Sequence, residues 1–118
     1  MNEFSYEIWE STYKGPDDNT PDDTWRRLAK SAVVASDPEG TEEKLYDLVK
    51  DWKFVPGGRI MSNLGINSRK ATTLYNCFVH AVNDTNITDS DSIEGIYTML
   101  KAQAHTLKSE GGYGINAS

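Results

Sequence analysis

Cysteine is almost missing from this sequence. Cys77 is the only one in 118 residues, and histidine is nearly as scarce, with His80 and His105 alone. A single thiol excludes an internal disulfide and any cysteine-cluster metal site, and two imidazoles argue against zinc, so no metal site is expected. No apolar stretch approaches the roughly 18 residues that a membrane helix needs. The opening Met1-Asn2-Glu3-Phe4-Ser5-Tyr6-Glu7 is acidic with no apolar centre, unlike a secretory signal. No membrane partner is therefore expected, and a cytoplasmic location is. Basic charge is also short: 12 Lys plus Arg stand against 18 Asp plus Glu, a formal net charge of −6. Without a basic stripe, DNA binding is not expected. Length is limiting too, because 118 residues suit one small domain and leave no room for a large catalytic barrel.

What is present is unevenly distributed. Residues 1–51 hold 13 acids and 6 bases, whereas residues 52–118 hold 5 acids and 6 bases, so a phosphate-bearing ligand would favour the second half. Three Trp, six Tyr and three Phe supply bulk for a core or an interface. Phe4, Ile8 and Trp9 predict a short helix over 3–12. Thr20 reads as an N-cap, with Pro21 at the first helical position and Asp22 and Asp23 at the positive end of the dipole. Trp25, Leu28, Ala29, Ala32 and Val33 then predict a helix over 21–35. Asp37-Pro38-Glu39-Gly40 breaks the chain, and Thr41 is expected to cap a third helix that turns Leu45, Leu48, Val49 and Trp52 to one face. Adjacent glycines in Phe54-Val55-Pro56-Gly57-Gly58-Arg59 argue for a turn, with irregular chain over 60–71.

Thr72 to Val82 is the best strand, with Tyr75, Cys77, Val79 and Ala81 on one face and Leu74, Asn76, Phe78, His80 and Val82 on the other. A polar loop follows over Asn83–Ser90. Asp91 and Glu94 have the spacing of a capping box, and Ile93, Ile96, Tyr97, Leu100, Ala104 and Leu107 continue a helix to about Lys108. Gly111-Gly112-Tyr113-Gly114 then reads as a glycine helix cap leading into a strand. Glycine backbone can also approach phosphates, but the dinucleotide fingerprint needs its glycines between a strand and the following helix, and here they follow a helix.

From the local pattern, Cys77 is most simply a buried, inert core residue. The functional alternative is a redox or nucleophilic thiol, which requires a base or a second sulfur. His80 lies three residues along a strand, hence on the opposite face, so a second sulfur would have to come from another chain or segment. Asp91 and Ser92 are capping residues first, at a helix N-terminus that could also receive a ligand hydroxyl or phosphate.

Five segments occur in order: Thr20-Pro21-Asp22-Asp23-Thr24-Trp25-Arg26-Arg27, Phe54-Val55-Pro56-Gly57-Gly58-Arg59-Ile60, Leu74-Tyr75-Asn76-Cys77-Phe78-Val79, Asp91-Ser92-Ile93-Glu94-Gly95-Ile96 and Gly111-Gly112-Tyr113-Gly114-Ile115-Asn116. Together they resemble the start of the catalytic subunit of ribonucleotide reductase, nearest the adenosylcobalamin-dependent class II branch. The resemblance extends from about Phe4 to Ser118. It implies a mainly α fold with a minor β portion. Residues 1–53 would be an N-terminal helical region, and 54–118 the first strands and helix of a ten-stranded α/β barrel completed by other sequence.

The activity implied is reduction of ribonucleotides to deoxyribonucleotides by thiyl-radical chemistry, as DNA replication requires. Cys77 matches the family's N-terminal redox-active cysteine, one of two thiols that deliver electrons to the ribose and finish as a disulfide. Asn76, Cys77 and Gly112 match substrate-contacting positions, and Asp91, Ser92 and Ile93 match the site that reads a deoxynucleotide effector. The helix over 91–108 matches one that packs in the dimer interface of dimeric members. The ligands implied are a nucleoside di- or triphosphate substrate, the deoxynucleotide effector and adenosylcobalamin, the last held by residues outside this chain. The partners implied are a complementary C-terminal reductase polypeptide bearing the radical cysteine, and a thioredoxin-type reductant. One departure is the link over Asn83–Ser90, longer than the family's usual one. Because the radical cysteine and most of the barrel lie downstream in relatives, the expectation is an N-terminal piece, inactive alone, arising from a split gene, an intein-interrupted host or truncation. Three alternatives stay open: a class I reductase, a non-catalytic nucleotide-effector-binding or assembly module, and a helical interaction domain that binds no nucleotide.

Overall fold

In the computed structural model, residues 1–67, 72–81 and 92–116 are described. They belong to two compact units, Met1–Arg69 and Lys70–Ser118. The first is helical. Helix α1 (Glu3–Ile8) starts at Asn2, whose side chain accepts from the Ser5 N–H at 2.8 Å, and runs on into a wider π turn, Trp9–Tyr13. Helix α2 (Pro21–Ala32) has a full capping box: the Thr20 hydroxyl accepts from the Asp23 N–H, and the Asp23 carboxylate accepts from the Thr20 N–H at 2.8 Å. It stops at Ala32, short of the expected residue 35, because Val33 is extended and the Asp37 carboxylate accepts from the Val34 N–H to close a turn.

Two local expectations are corrected. Thr41 does not cap helix α3 (Thr41–Val49); the N-cap is Gly40 at φ 82°, and the Thr41 hydroxyl donates instead to the Pro38 carbonyl at 2.7 Å. A left-handed residue there suits glycine. The paired glycines also start a helix, α4 (Gly58–Asn63), where irregular chain was expected. Gly57 is its N-cap and Gly58 its first residue, positions at which glycine carries little of its interior penalty.

The α2–α3 contact forms one core from Trp25, Ala29, Tyr46 and Val49, with Leu45 and Trp52 packed against it. Trp52, on the single 3-10 turn after α3 (Lys50–Trp52), meets Trp25 edge to face at 5.5 Å. A second, polar centre ties the remaining segments together. Trp9 Nε1 donates to Thr24 Oγ1 at 2.8 Å, and that hydroxyl donates to Asp18 Oδ2 at 2.7 Å. Asp18 also accepts from the Gly15 N–H and from Arg27, whose guanidinium lies 3.0 Å away and donates further to the carbonyls of Tyr13, Met61 and Leu64. Arg27 thereby binds the π turn and α4 to α2, so the helical unit continues past residue 53.

The second unit is a β-α-β crossover. Strands β1 (Cys77–Ala81) and β2 (Gly112–Asn116) are parallel, joined in sequence through helix α5 (Ile93–Lys108). β1 is shorter than the expected strand from Thr72, because only residues 77–81 face a partner. Before it, the Thr73 N–H donates to the Ser109 carbonyl, and the Tyr75 N–H donates to the Thr73 side chain. Val82, the loop over Asn83–Ser90 and Asp91 lie outside the described residues. The cap of α5 is Ser92, accepting from the Gly95 N–H at 3.1 Å, which puts a glycine and not Glu94 at the third helical position, so the N-cap falls one residue past the expected Asp91. At the other end the left-handed residue is Glu110 at φ 67°, not a glycine. The N–H groups of Glu110 and Gly111 donate to the carbonyls of Leu107 and Thr106, the paired bonds of a Schellman ending. The architecture is mainly helical with a minor β portion. No helix among the described residues is long and apolar enough to cross a membrane.

Candidate functional site

Alternation along β1 and β2 sorts their side chains onto two faces. Phe78 and Tyr113 stand opposite each other on the α5 side: the Tyr113 hydroxyl donates to the Met99 carbonyl at 3.5 Å, and His80 stacks on the Tyr113 ring at 5.1 Å. The other face carries Cys77 and Val79 from β1, over Gly112 and Gly114 from β2. It is uncovered in this unit: Cys77 is exposed and Val79 is 75% exposed. This overturns the local reading of Cys77 as a buried core thiol. His80, across the sheet, is not its base, as the spacing predicted.

Three of the expected site residues come together at the leading ends of the strands. Cys77 is paired in register with Gly112, and the Gly112 N–H donates to the Asn76 carbonyl at 2.7 Å. The result is an exposed thiol beside glycine backbone that is bonded to the Asn76 carbonyl, on a face with little bulk. Val79 and Gly114, which continue this face, were not singled out from sequence, although strand alternation pointed to them.

Ser92 and Ile93 lie elsewhere. The chain leaves the trailing end of β1 before entering α5, so the N-terminus of α5 is at the opposite end of the crossover from Cys77. The 16 residues of α5 span about 24 Å. Ser92 is half-buried as a cap and Ile93 is 70% exposed; Asp91 lies outside the described residues. The substrate candidates and the described effector candidates are therefore two separate places. Among the described residues no cluster of His, Cys, Asp and Glu is arranged to hold a metal ion.

The apolar stripe of α5 faces away from its own sheet. Ile93, Tyr97 and Leu107 are 70%, 68% and 54% exposed, and Ile96 and Leu100 are exposed as well. The helix turns Thr98, Met99, Ala102 and Thr106 inward instead.

An α-helical module with a buried polar centre, followed by a parallel β-α-β unit whose open face presents a thiol, is the class of protein that these elements define. Residues 1–69 match the family model of the ribonucleotide reductase all-alpha domain. That is more than half of the chain, and the chain belongs to the ribonucleotide reductase family. The match ends at the residue that closes the helical unit, Arg69. No curated protein and no solved structure matches the chain.

Proposed function

We propose that this chain is the N-terminal part of an adenosylcobalamin-dependent ribonucleotide reductase, active once a complementary polypeptide completes the barrel. The observation that carries this reading is the position of Cys77, exposed on the sheet face turned away from α5 and opposite Gly112. In an α/β barrel the helices cover the outside, and the other strand face looks inward. Cys77 would then enter the barrel interior on a strand, a rigid mounting for a thiol that must meet one carbon of a sugar.

The chemistry balances as a dithiol oxidation. Cys77 and a second cysteine from the complementary polypeptide become a disulfide, giving two electrons and two protons. The ribose 2′-oxygen leaves as water. A thioredoxin-type reductant restores the pair by thiol–disulfide exchange. Adenosylcobalamin supplies the initiating radical when bound to the completed enzyme, and none of the described residues is assigned to hold it. Asn76 and the Gly112 backbone would contact the substrate di- or triphosphate. Asp91, Ser92 and Ile93 would read the deoxynucleotide effector at the far end of the crossover. The outward stripe of α5 would pack against a second subunit.

The test combines this chain with the complementary barrel polypeptide, adenosylcobalamin, a ribonucleoside triphosphate and a thioredoxin-type reductant. Deoxynucleotide should form only in the mixture and should be lost with Cys77→Ser. Unchanged turnover with Cys77→Ser would remove the role given to that thiol. Deoxynucleotide binding without any association would favour a non-catalytic effector-binding module instead.

A further inference from the structure

We infer that Gly112 is a positioning residue for Cys77, its missing side chain leaving the space in which the thiol sits; the inference rests on the reading of Cys77 as redox-active. The two residues are direct partners in the parallel ladder. A Cβ added at Gly112 would lie 3.0 Å from Cys77 Sγ and 3.2 Å from the Asn76 carbonyl oxygen. Both separations are inside the roughly 3.5–4.0 Å at which uncharged heavy atoms rest against each other. The Asn76 oxygen cannot retreat freely, because it accepts the Gly112 N–H at 2.7 Å. The movable atom is the sulfur, which would have to turn away from Gly112 by a few tenths of an ångström or more.

Backbone conformation does not explain the glycine. The left-handed glycines are Gly40 and Gly65, and Gly112 is not among them, so an alanine backbone is allowed at 112. Gly114, two residues along the same face, supplies the contrast: a Cβ there meets Val79 Cγ2 at 3.7 Å and the Phe78 carbonyl oxygen at 3.8 Å, ordinary contact. A Cβ is crowded beside the sulfur and in ordinary contact one step further. A thiol that must bond to a second sulfur and later be reached by a reductant needs this rotational room, and Gly112 provides it.

The test reads the thiol directly in the 118-residue chain, so it can fail while the reductase assignment stands, and the reverse. Alkylation of Cys77 by iodoacetamide, followed by mass spectrometry across a pH series, should slow about tenfold in Gly112→Ala, with the midpoint of the pH profile unmoved, since access and not thiolate fraction changes. Gly114→Ala should stay within about twofold of the parent. Stability supplies the second arm. Gly112→Ala should lower the urea midpoint in the parent and lower it less in a Cys77→Ala background. If Gly112→Ala alone fails to fold, recovery of the fold in Cys77→Ala/Gly112→Ala supports the inference. Equal alkylation rates, an equal stability loss in both backgrounds, or failure of the double variant to fold would overturn it.

Discussion

Arg27→Ala removes the centre of the polar clasp in the helical unit. Asp18 is 4% exposed and the Arg27 side chain 12%, so the pair is well removed from water. Removing one partner of a buried pair typically costs about 3–5 kcal/mol, because the remaining charge keeps its desolvation penalty without its partner. Alanine also withdraws the donors that meet the carbonyls of Tyr13, Met61 and Leu64. We place the loss at about 4 kcal/mol, against a total of about 5–15 kcal/mol for a domain of ordinary stability. With a urea slope of about 1.5 kcal/mol per M, the midpoint should fall by about 2–3 M. The fluorescence of Trp9, Trp25 and Trp52 reports the transition, since all three belong to the helical unit. Asp18→Asn with Arg27→Gln should cost clearly less than the sum of the two single changes, because each alone strands its partner. A midpoint shift below about 0.5 M for Arg27→Ala, or strict additivity, would refute the assignment of this pair as the clasp between α2, the π turn and α4.

Other consequences are equally direct. Burial works to raise the Asp18 pKa, but hydrogen bonds from Arg27, Thr24 and the Gly15 N–H, with the charge of Arg27, outweigh it and hold the carboxyl below its ordinary value. The stability it brings is therefore complete above the unfolded-state pKa of about 4 and lost as pH falls through the lowered folded value, so acid unfolding should be markedly weaker in Asp18→Asn. Gly65 has φ 77°, and a Cβ there would stand 2.1 Å from Ser31 Oγ. Gly65→Ala should cost about 2–4 kcal/mol by chemical denaturation, and Ser31→Ala in the same chain should return part of it. Thr20→Ala removes the hydroxyl of the α2 capping box and should cost about 1 kcal/mol, seen as a lower midpoint with an unchanged slope.

Features settled by near neighbours along the chain were legible in the sequence. The α2 cap depends on Thr20, Pro21 and Asp23 alone, and its apolar spacing on Trp25, Leu28 and Ala29. The faces of β1 follow from alternation, so the separation of Cys77 from His80 was visible. Features settled by distant partners were not. β1 begins at Cys77 and not Thr72 because β2 offers a partner only from Gly112. The α5 stripe was readable as a stripe, but its outward direction depends on which side meets the sheet. The exposure of Cys77 depends likewise on what covers its face. The Asp18–Arg27 centre was hidden because its acceptors come from Tyr13, Met61 and Leu64, scattered through the unit. Gly57 and Gly58 misled because glycine is a poor helix residue only inside a helix, and these two open one.

The proposed role of Cys77 is to give one electron to a ribose. It is tested most directly by the state of that thiol after one turnover of the reconstituted enzyme without reductant, quenched in acid, alkylated and read by mass spectrometry. Cys77 should then be found in a disulfide with a cysteine of the complementary polypeptide, in amounts that track the deoxynucleotide formed. Deoxynucleotide formed while Cys77 remains fully open to alkylation would contradict it.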